Sequence, residues 1–333
     1  MWSVYLGLAL LSAAALAFEI TLTRLFSVTQ WYHFAFLAVS VALLGYGASG
    51  TALSLVPRWG RPPTTRRTSM LALLFSVGVL AAALSLNHLP FDSYRIAWEQ
   101  IQILYLIGYY LALAVPFFCA GLVVGLLLAA YTDRAAPIYA ANLLGASVGA
   151  LLPLLILPRL GGGTVLAISG LGCLAALAFG LGSSHRVPDA ADPRSRGRFS
   201  ERAIWARFAL PIIVLLGLVF VPPTAFQLRL SPYKGLSQTL RLPGSEIVWS
   251  RWNAFSRVDR VASPAIRSAP GLSLNYDGEL LPQDGLFVDG DDLSPVVKGE
   301  FDPEYLRAFT GHLPVALPYQ MRPGARALVV EPR

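Results

Sequence analysis

Seven apolar runs constrain this chain more than any other feature: Trp2–Phe18, Tyr32–Leu55, Ser69–Leu86, Ile103–Ala130, Ile138–Leu157, Thr164–Leu181 and Phe208–Val221. A helix rises about 1.5 Å per residue, so roughly 20 apolar residues span the ~30 Å hydrocarbon core of a bilayer. Lipid offers no partners to backbone N–H and C=O groups, so such runs must be helical. Short turns join most of them, which predicts antiparallel neighbours. Hydrophobic residues make up 55% of the chain and charged ones only 14%, with mean hydropathy +0.57. That balance excludes an ordinary soluble domain. The expected fold is a polytopic α-helical membrane bundle over residues 1–224, with the lipid bilayer as its first partner. The run Val4–Phe18 lacks a basic leader and a small-residue cleavage pattern, and reads as a first span rather than a signal peptide.

The net charge of +7 is unevenly placed. From Gln227 onward there are 12 basic and 12 acidic residues, so the excess lies in the membrane half. Ten of its basic residues fall in two loops, Arg58–Arg67 and Arg186–Arg207. Basic loops orient spans with the positive side inward, and a neutral C-terminal half with no basic stripe argues against nucleic acid. Both loops and Arg134 lie on one side of the predicted topology. This places the N-terminus in the cytoplasm and, after seven crossings, the C-terminal region outside. If Phe208–Val221 is only interfacial, that region returns to the cytoplasm. The expected location is the cell inner (plasma) membrane, multi-pass.

A few polar residues interrupt the apolar runs. Glu19 and Arg24, in FEITLTRLFSV (Phe18–Val28), lie between the first two spans. They read either as a charge pair facing a cavity or as interfacial anchors beside Trp31 and Tyr32. GYGASG (Gly45–Gly50) matches a dinucleotide fingerprint but lies inside an apolar span, where small residues serve helix packing. The same reading covers Gly121 with Gly125 and Gly145 with Gly149. Asn142 can hydrogen-bond between helices, as a structural tie or as a substrate contact. Cys119 and Cys173 lie in apolar helices, and the histidines at 33, 88, 185 and 312 are scattered, so no metal site is expected.

Beyond Pro223 the texture changes. Ser256–Ser263 and Leu272–Tyr276 alternate as strands do, and the Asp-Gly pairs at 277–278 and 289–290 are hairpin-turn signals. Asp302–Thr310 reads as a short helix, with Asp302 as N-cap and Pro303 at the first position. Ala327–Val330 reads as a buried strand. Asp289, Asp291 and Asp292 form an acidic cluster, readable as an amine attractor or as solvent-facing turn acids. Trp249, Arg251 and Trp252 are favoured as packing residues over a stacking platform. His312 reads as a hydrogen-bonded structural histidine.

With these segments in place, the chain resembles bacterial membrane-fused proteins of the spermidine-synthase (polyamine aminopropyltransferase) type. The resemblance rests on Glu19–Arg24, YAANLLGASVGA (Tyr139–Ala150), SPYKGL (Ser231–Leu236), SRWNAFSRVD (Ser250–Asp259), PGLSL (Pro270–Leu274) and VDGD (Val288–Asp291). It implies an N-terminal β-hairpin lobe with a helix over 225–320, then the first strand of a Rossmann-like, methyltransferase-type α/β domain over 321–333. It implies a transferase that uses S-adenosylmethionine or its decarboxylated form as co-substrate and a small amine or polyamine as acceptor, without a metal. A homo-oligomer is compatible with it.

Tyr233, Asp289 and Tyr305 are the substrate-binding residues that the resemblance carries over. In such folds the cofactor loop follows the first strand, which here is Ala327–Val330. The catalytic and cofactor residues are therefore expected beyond Arg333, and these 333 residues by themselves are expected to be inactive. The chain also departs from the soluble synthases. Lys234 and Leu293 replace glutamines, and Tyr305-Leu306-Arg307 replaces Tyr-His-Glu. Lysine only donates hydrogen bonds and leucine makes none, so a different acceptor is one reading. A transporter or membrane scaffold with a degenerate synthase-like lobe is the alternative.

Overall fold

The computed structural model describes residues 1–30, 34–56, 65–92, 94–182, 226–299 and 302–324, with 209, 211–214, 216–217 and 326. The chain forms two compact units, Met1–Arg229 and Leu230–Arg333.

The first unit contains the long helices α1 (Trp2–Thr29), α2 (Ala35–Leu55), α3 (Thr65–His88), α4 (Ile101–Ala130), α5 (Ala135–Leu160) and α6 (Thr164–Leu181). Among the described residues, five helical stretches are long and apolar enough to cross a membrane. The last, Thr132–Leu181, contains both α5 and α6, joined by a tight turn at Gly161–Gly163. Gly161 adopts φ +51°, a left-handed conformation that glycine tolerates best and that ends α5. The expected strong membrane character is therefore present. Half of Phe208–Val221, the basic loops apart from Thr65–Arg67 at the start of α3, and the aromatic pair Trp31 and Tyr32 lie outside the described residues, as do His33 and His185.

One sequence expectation fails in this unit. Phe18–Val28 does not lie between spans. It continues α1, which runs unbroken to Thr29 because nothing in EITLTRLFSV interrupts an α-helix. At about 100° per residue, the five-residue step from Glu19 to Arg24 turns through roughly 140° to another face. The spacing that suggested a charge pair separates the two side chains once the segment is helical.

Helix α1 is the central element, in contact with α2, α4, α5 and α6. Small residues set the approach. A Cβ at Gly145 or Gly149 would run into the backbone of Ala9 or Ala13, so α5 lies directly against α1. A Cβ at Gly45 would come within 2.6 Å of the Phe117 side chain on α4. In lipid there is little apolar gain from helix pairing, and close backbone packing is what holds helices together. Helices α3 and α6 add buried hydrogen bonds, from Ser69 Oγ to the Ala176 carbonyl (2.7 Å) and from Ser169 Oγ to the Ser76 carbonyl (3.0 Å). Exposed Phe36, Leu43 and Leu55 on α2 and Leu144, Leu151 and Leu155 on α5 leave an outward apolar surface. The buried Asn87 side chain donates to the Gln227 carbonyl and accepts from the Arg229 amide, fixing the chain where this unit ends.

The second unit is built on a four-stranded antiparallel sheet in the order β1 (Glu246–Trp252), β2 (Arg257–Ala262), β3 (Gln283–Val288) and β4 (Asp291–Val297). Around it lie the short helices α7 (Gly235–Thr239), α8 (Pro303–Gly311) and α9 (Leu317–Met321). Leu236, Val261, Ile266 and Phe287 form the core, with Leu230 packed against them. The Asp289-Gly290 turn joins β3 to β4 with φ +50° and +74°, the left-handed pair that a two-residue hairpin requires. Helix α8 starts as expected, with Asp302 Oδ1 accepting the Glu304 amide (3.1 Å) and Pro303 in the first turn.

Leu272–Tyr276 departs from expectation. It is a series of turns closed by Leu272 N–Ala269 O and Tyr276 N–Ser273 O bonds, not a strand. The Asp277-Gly278 pair joins no hairpin there. The Tyr276 ring instead packs edge-on to Phe309 and lies 5.2 Å from the His312 ring, so α8 rather than the sheet holds this segment. The expected Rossmann-type strand, Ala327–Val330, lies outside the described residues.

Candidate functional site

A cavity of about 430 Å³, partly open to the outside, lies between α1, α2, α4 and α5. Each helix contributes one stripe at helical spacing: Ser12, Leu16 and Glu19 from α1; Tyr46, Ser49, Gly50 and Leu53 from α2; Gly121, Val124 and Gly125 from α4; Asn142 and Ala146 from α5. Residues at i, i+3, i+4 and i+7 share one helix face, so each local sequence aims its polar groups at the same space. The glycines shape the wall. A Cβ at Gly121 would collide with the Ser49 side chain, and one at Gly125 would come within 2.6 Å of Leu53.

Two hydrogen bonds order the lining. Ser12 Oγ donates to Asn142 Oδ1 (2.7 Å), which joins α1 to α5 and leaves the Asn142 amide hydrogens as donors. Ser49 Oγ donates to the Tyr46 carbonyl (2.7 Å), so its lone pairs remain for a further partner. The Glu19 carboxylate takes part in no hydrogen bond or ion pair among the described residues. An ionisable group inside an apolar bundle is costly without a partner, and its presence marks a site by default. Glu19 and Asn142 were legible as candidates from the sequence. Ser12, Tyr46 and Ser49 were not. Their signal was polar residues recurring on a single helix face within apolar runs.

In the second unit, the residues carried over by resemblance fall into two clusters. Tyr233 is about one-third exposed and precedes Lys234, whose side chain is buried. Lys234 Nζ donates to the Asp289 carbonyl (2.8 Å) beside Asp291 and Asp292. Burial pushes this ammonium below the usual lysine range, and the carboxylates of Asp291, Asp289 and Asp292 partly restore it. Asp289 holds the sheet as well. Its amide donates to the Arg257 carbonyl (2.7 Å) and its Oδ1 accepts the Arg257 amide (2.8 Å). The Lys234 ammonium thus lies near the acidic cluster and bonds to the Asp289 backbone carbonyl.

Tyr305, on α8, donates to the Glu279 carbonyl (2.7 Å), which also accepts from the Tyr276 hydroxyl (3.1 Å). His312 Nδ1 donates to the Ala308 carbonyl (2.6 Å), which is the structural role expected of it. Arg251 lies over the Trp249 ring at 5.5 Å, within reach of a cation–π contact.

The other buried charges of this unit are also compensated. Asp259, fully buried, accepts through Oδ1 from Ser250 Oγ and from Arg257 Nε (3.0 Å) and Nη2 (2.8 Å). Its Oδ2 has no hydrogen-bond partner among the described residues. Asp284 is paired with Arg260 (2.7 Å) and Lys298 (2.8 Å). Burial alone would raise its carboxyl, yet the two cations hold it below the ordinary carboxylate range. No group of three or more metal-ligating side chains occurs among the described residues.

No family model, curated protein or solved structure matches this chain.

Proposed function

We propose that this chain belongs to a multi-pass protein of the cell inner membrane that acts as a transferase of the spermidine-synthase type. Its co-substrate is S-adenosylmethionine or the decarboxylated form, and its acceptor is a small amine. In such a transfer the amine nitrogen bonds to a carbon next to the sulfonium, the carbon–sulfur bond breaks and the amine gives up one proton to a base.

The observation that carries this reading is the order of elements in the second unit. An antiparallel sheet with an Asp-Gly turn between β3 and β4 is followed by an N-capped helix bearing Tyr305 and then by His312-Leu313-Pro314. This is the order that the sequence resemblance implies for the lobe preceding a cofactor domain. The ammonium of Lys234, bonded to the Asp289 carbonyl near the acids of this turn, supports an acceptor other than the polyamine of the soluble enzymes, since a cation already offsets those acids.

The test is transfer by the protein expressed from its whole gene and reconstituted in nanodiscs. Each co-substrate, labelled in its transferable group, is supplied with a panel of primary amines. The expected result is label in an amine product with one donor. Absence of transfer from both donors to every amine would overturn the reading.

A further inference from the structure

The cavity of the helical unit is a second place where chemistry on the page calls for a ligand, and it involves none of the residues invoked above. Its polar contributors are one carboxylate (Glu19), one phenol (Tyr46), one amide (Asn142) and two hydroxyls (Ser12 and Ser49). Among the described residues no basic side chain lines it, and Arg24 lies on another face of α1. Glu19 is therefore the one carboxyl group of the lining, and the group there able to act as counter-ion to a cation.

Three properties narrow the occupant. A single carboxylate without further acids does not suit a divalent ion, which takes six or more oxygen ligands, several of them charged. The volume of about 430 Å³ falls in the range of organic-ligand pockets and far exceeds one water, whose share of liquid is roughly 30 Å³. The walls are mostly apolar, with Leu16, Leu53, Val124 and Ala146 facing the same space as the polar groups. A ligand that satisfies all three has a cationic head and a short hydrocarbon body.

We infer that this cavity binds a small organic ammonium, with Glu19 as counter-ion, Tyr46 and Ser49 as acceptors for its N–H groups, and the leucines around its hydrocarbon part. Asn142 is the positioning residue: held by Ser12, it keeps the α5 wall in register with α1. The site does not depend on the transferase reading. Transfer activity without ammonium binding would sink this inference and leave the other standing.

The probe is radiolabelled n-butylammonium, equilibrated with the full chain in nanodiscs of neutral phosphatidylcholine, with empty nanodiscs as background. Saturable binding at one site per chain is expected, competed by unlabelled n-butylammonium but not by n-butanol or by sodium at the same concentration. Glu19→Gln is expected to weaken binding at least tenfold and Tyr46→Phe about threefold. In the unmodified protein, butylammonium is expected to slow labelling of Glu19 by dicyclohexylcarbodiimide, read by mass spectrometry. This arm needs no variant to fold. The inference is overturned by absence of saturable binding, by equal binding in Glu19→Gln, by displacement with sodium, or by carbodiimide labelling indifferent to butylammonium.

Discussion

The two units bury charge in opposite ways. In the sheet unit each buried ionic side chain among the described residues has a partner from its own chain: Lys234 with the Asp289 carbonyl, Asp259 with Arg257, and Asp284 with Arg260 and Lys298. In the helical unit Glu19 faces a cavity with no hydrogen-bond or ion-pair partner among the described residues. Burying a charge is costly in both places, so the difference lies in what each arrangement gains. The paired groups hold a small sheet in one register. An uncompensated carboxylate stabilises nothing in the empty protein and acquires its partner from outside. Charge away from bulk water is thus architecture in one unit and, at the half-buried Glu19, a candidate site in the other.

The sharpest way to break this comparison is to remove a paired acid. Asp259→Ala leaves the largely buried Arg257 guanidinium without its carboxylate and is expected to cost about 3–5 kcal/mol. Hydrogen exchange of the β2 amides in the full chain reads this directly, and unchanged protection would mean that the pair is not structural. Gly145→Val tests the packing that frames the cavity. Its side chain would meet the Ala9 backbone, and overpacking of this kind costs about 1–3 kcal/mol, seen as a lower unfolding temperature in detergent. Gly290→Ala places a Cβ at φ +74°, against Leu230, and is expected to cost roughly 1–2 kcal/mol, with the loss of protection centred on the β3–β4 hairpin.

A gentler probe uses pH. The folded Asp284 carboxyl lies below its unfolded value of about 3.9, so its contribution is fully present above that pH. It is lost as pH falls through the folded value. Asp284→Asn should therefore lower stability at neutral pH and flatten the acid limb of the sheet unit; an acid limb of unchanged slope would show that the ion pairs contribute little. The smallest effect is expected from Glu19→Gln, which should leave the unfolding temperature of the ligand-free protein unchanged or slightly raised. A clear fall would mean that Glu19 has a structural partner, and the contrast between the units would collapse.

Several features were legible in the sequence because they are local. Helices follow from the length and apolarity of the runs, since a backbone in lipid has no other way to satisfy itself. The Asp289-Gly290 turn was legible because few residue pairs accept two left-handed conformations in succession. The start of α8 was legible because Asp302 and Pro303 act within a single turn. The glycines of GYGASG were read as packing residues, and Gly45 fits Phe117 accordingly, whereas Gly50 faces the cavity. Glu19 was noticed for its charge, and a cavity was one of the two surroundings read for it; the placement between spans failed because α1 continues past Phe18.

By itself, then, the sequence determined which segments are helical and apolar, where one hairpin turns and where one helix is capped. Each of these depends on residues within a few positions of one another. Only the tertiary structure decided that Ser12, Glu19, Tyr46, Ser49 and Asn142 meet around one cavity, and that Lys234 bonds to the Asp289 carbonyl. These outcomes depend on how closely separate segments approach. Gly145 and Gly149 against α1 and Gly121 against α2 set that approach for the helices, and the register of β3 with β4 sets it for the turn. Such contacts join residues far apart in the chain, and no local pattern encodes them.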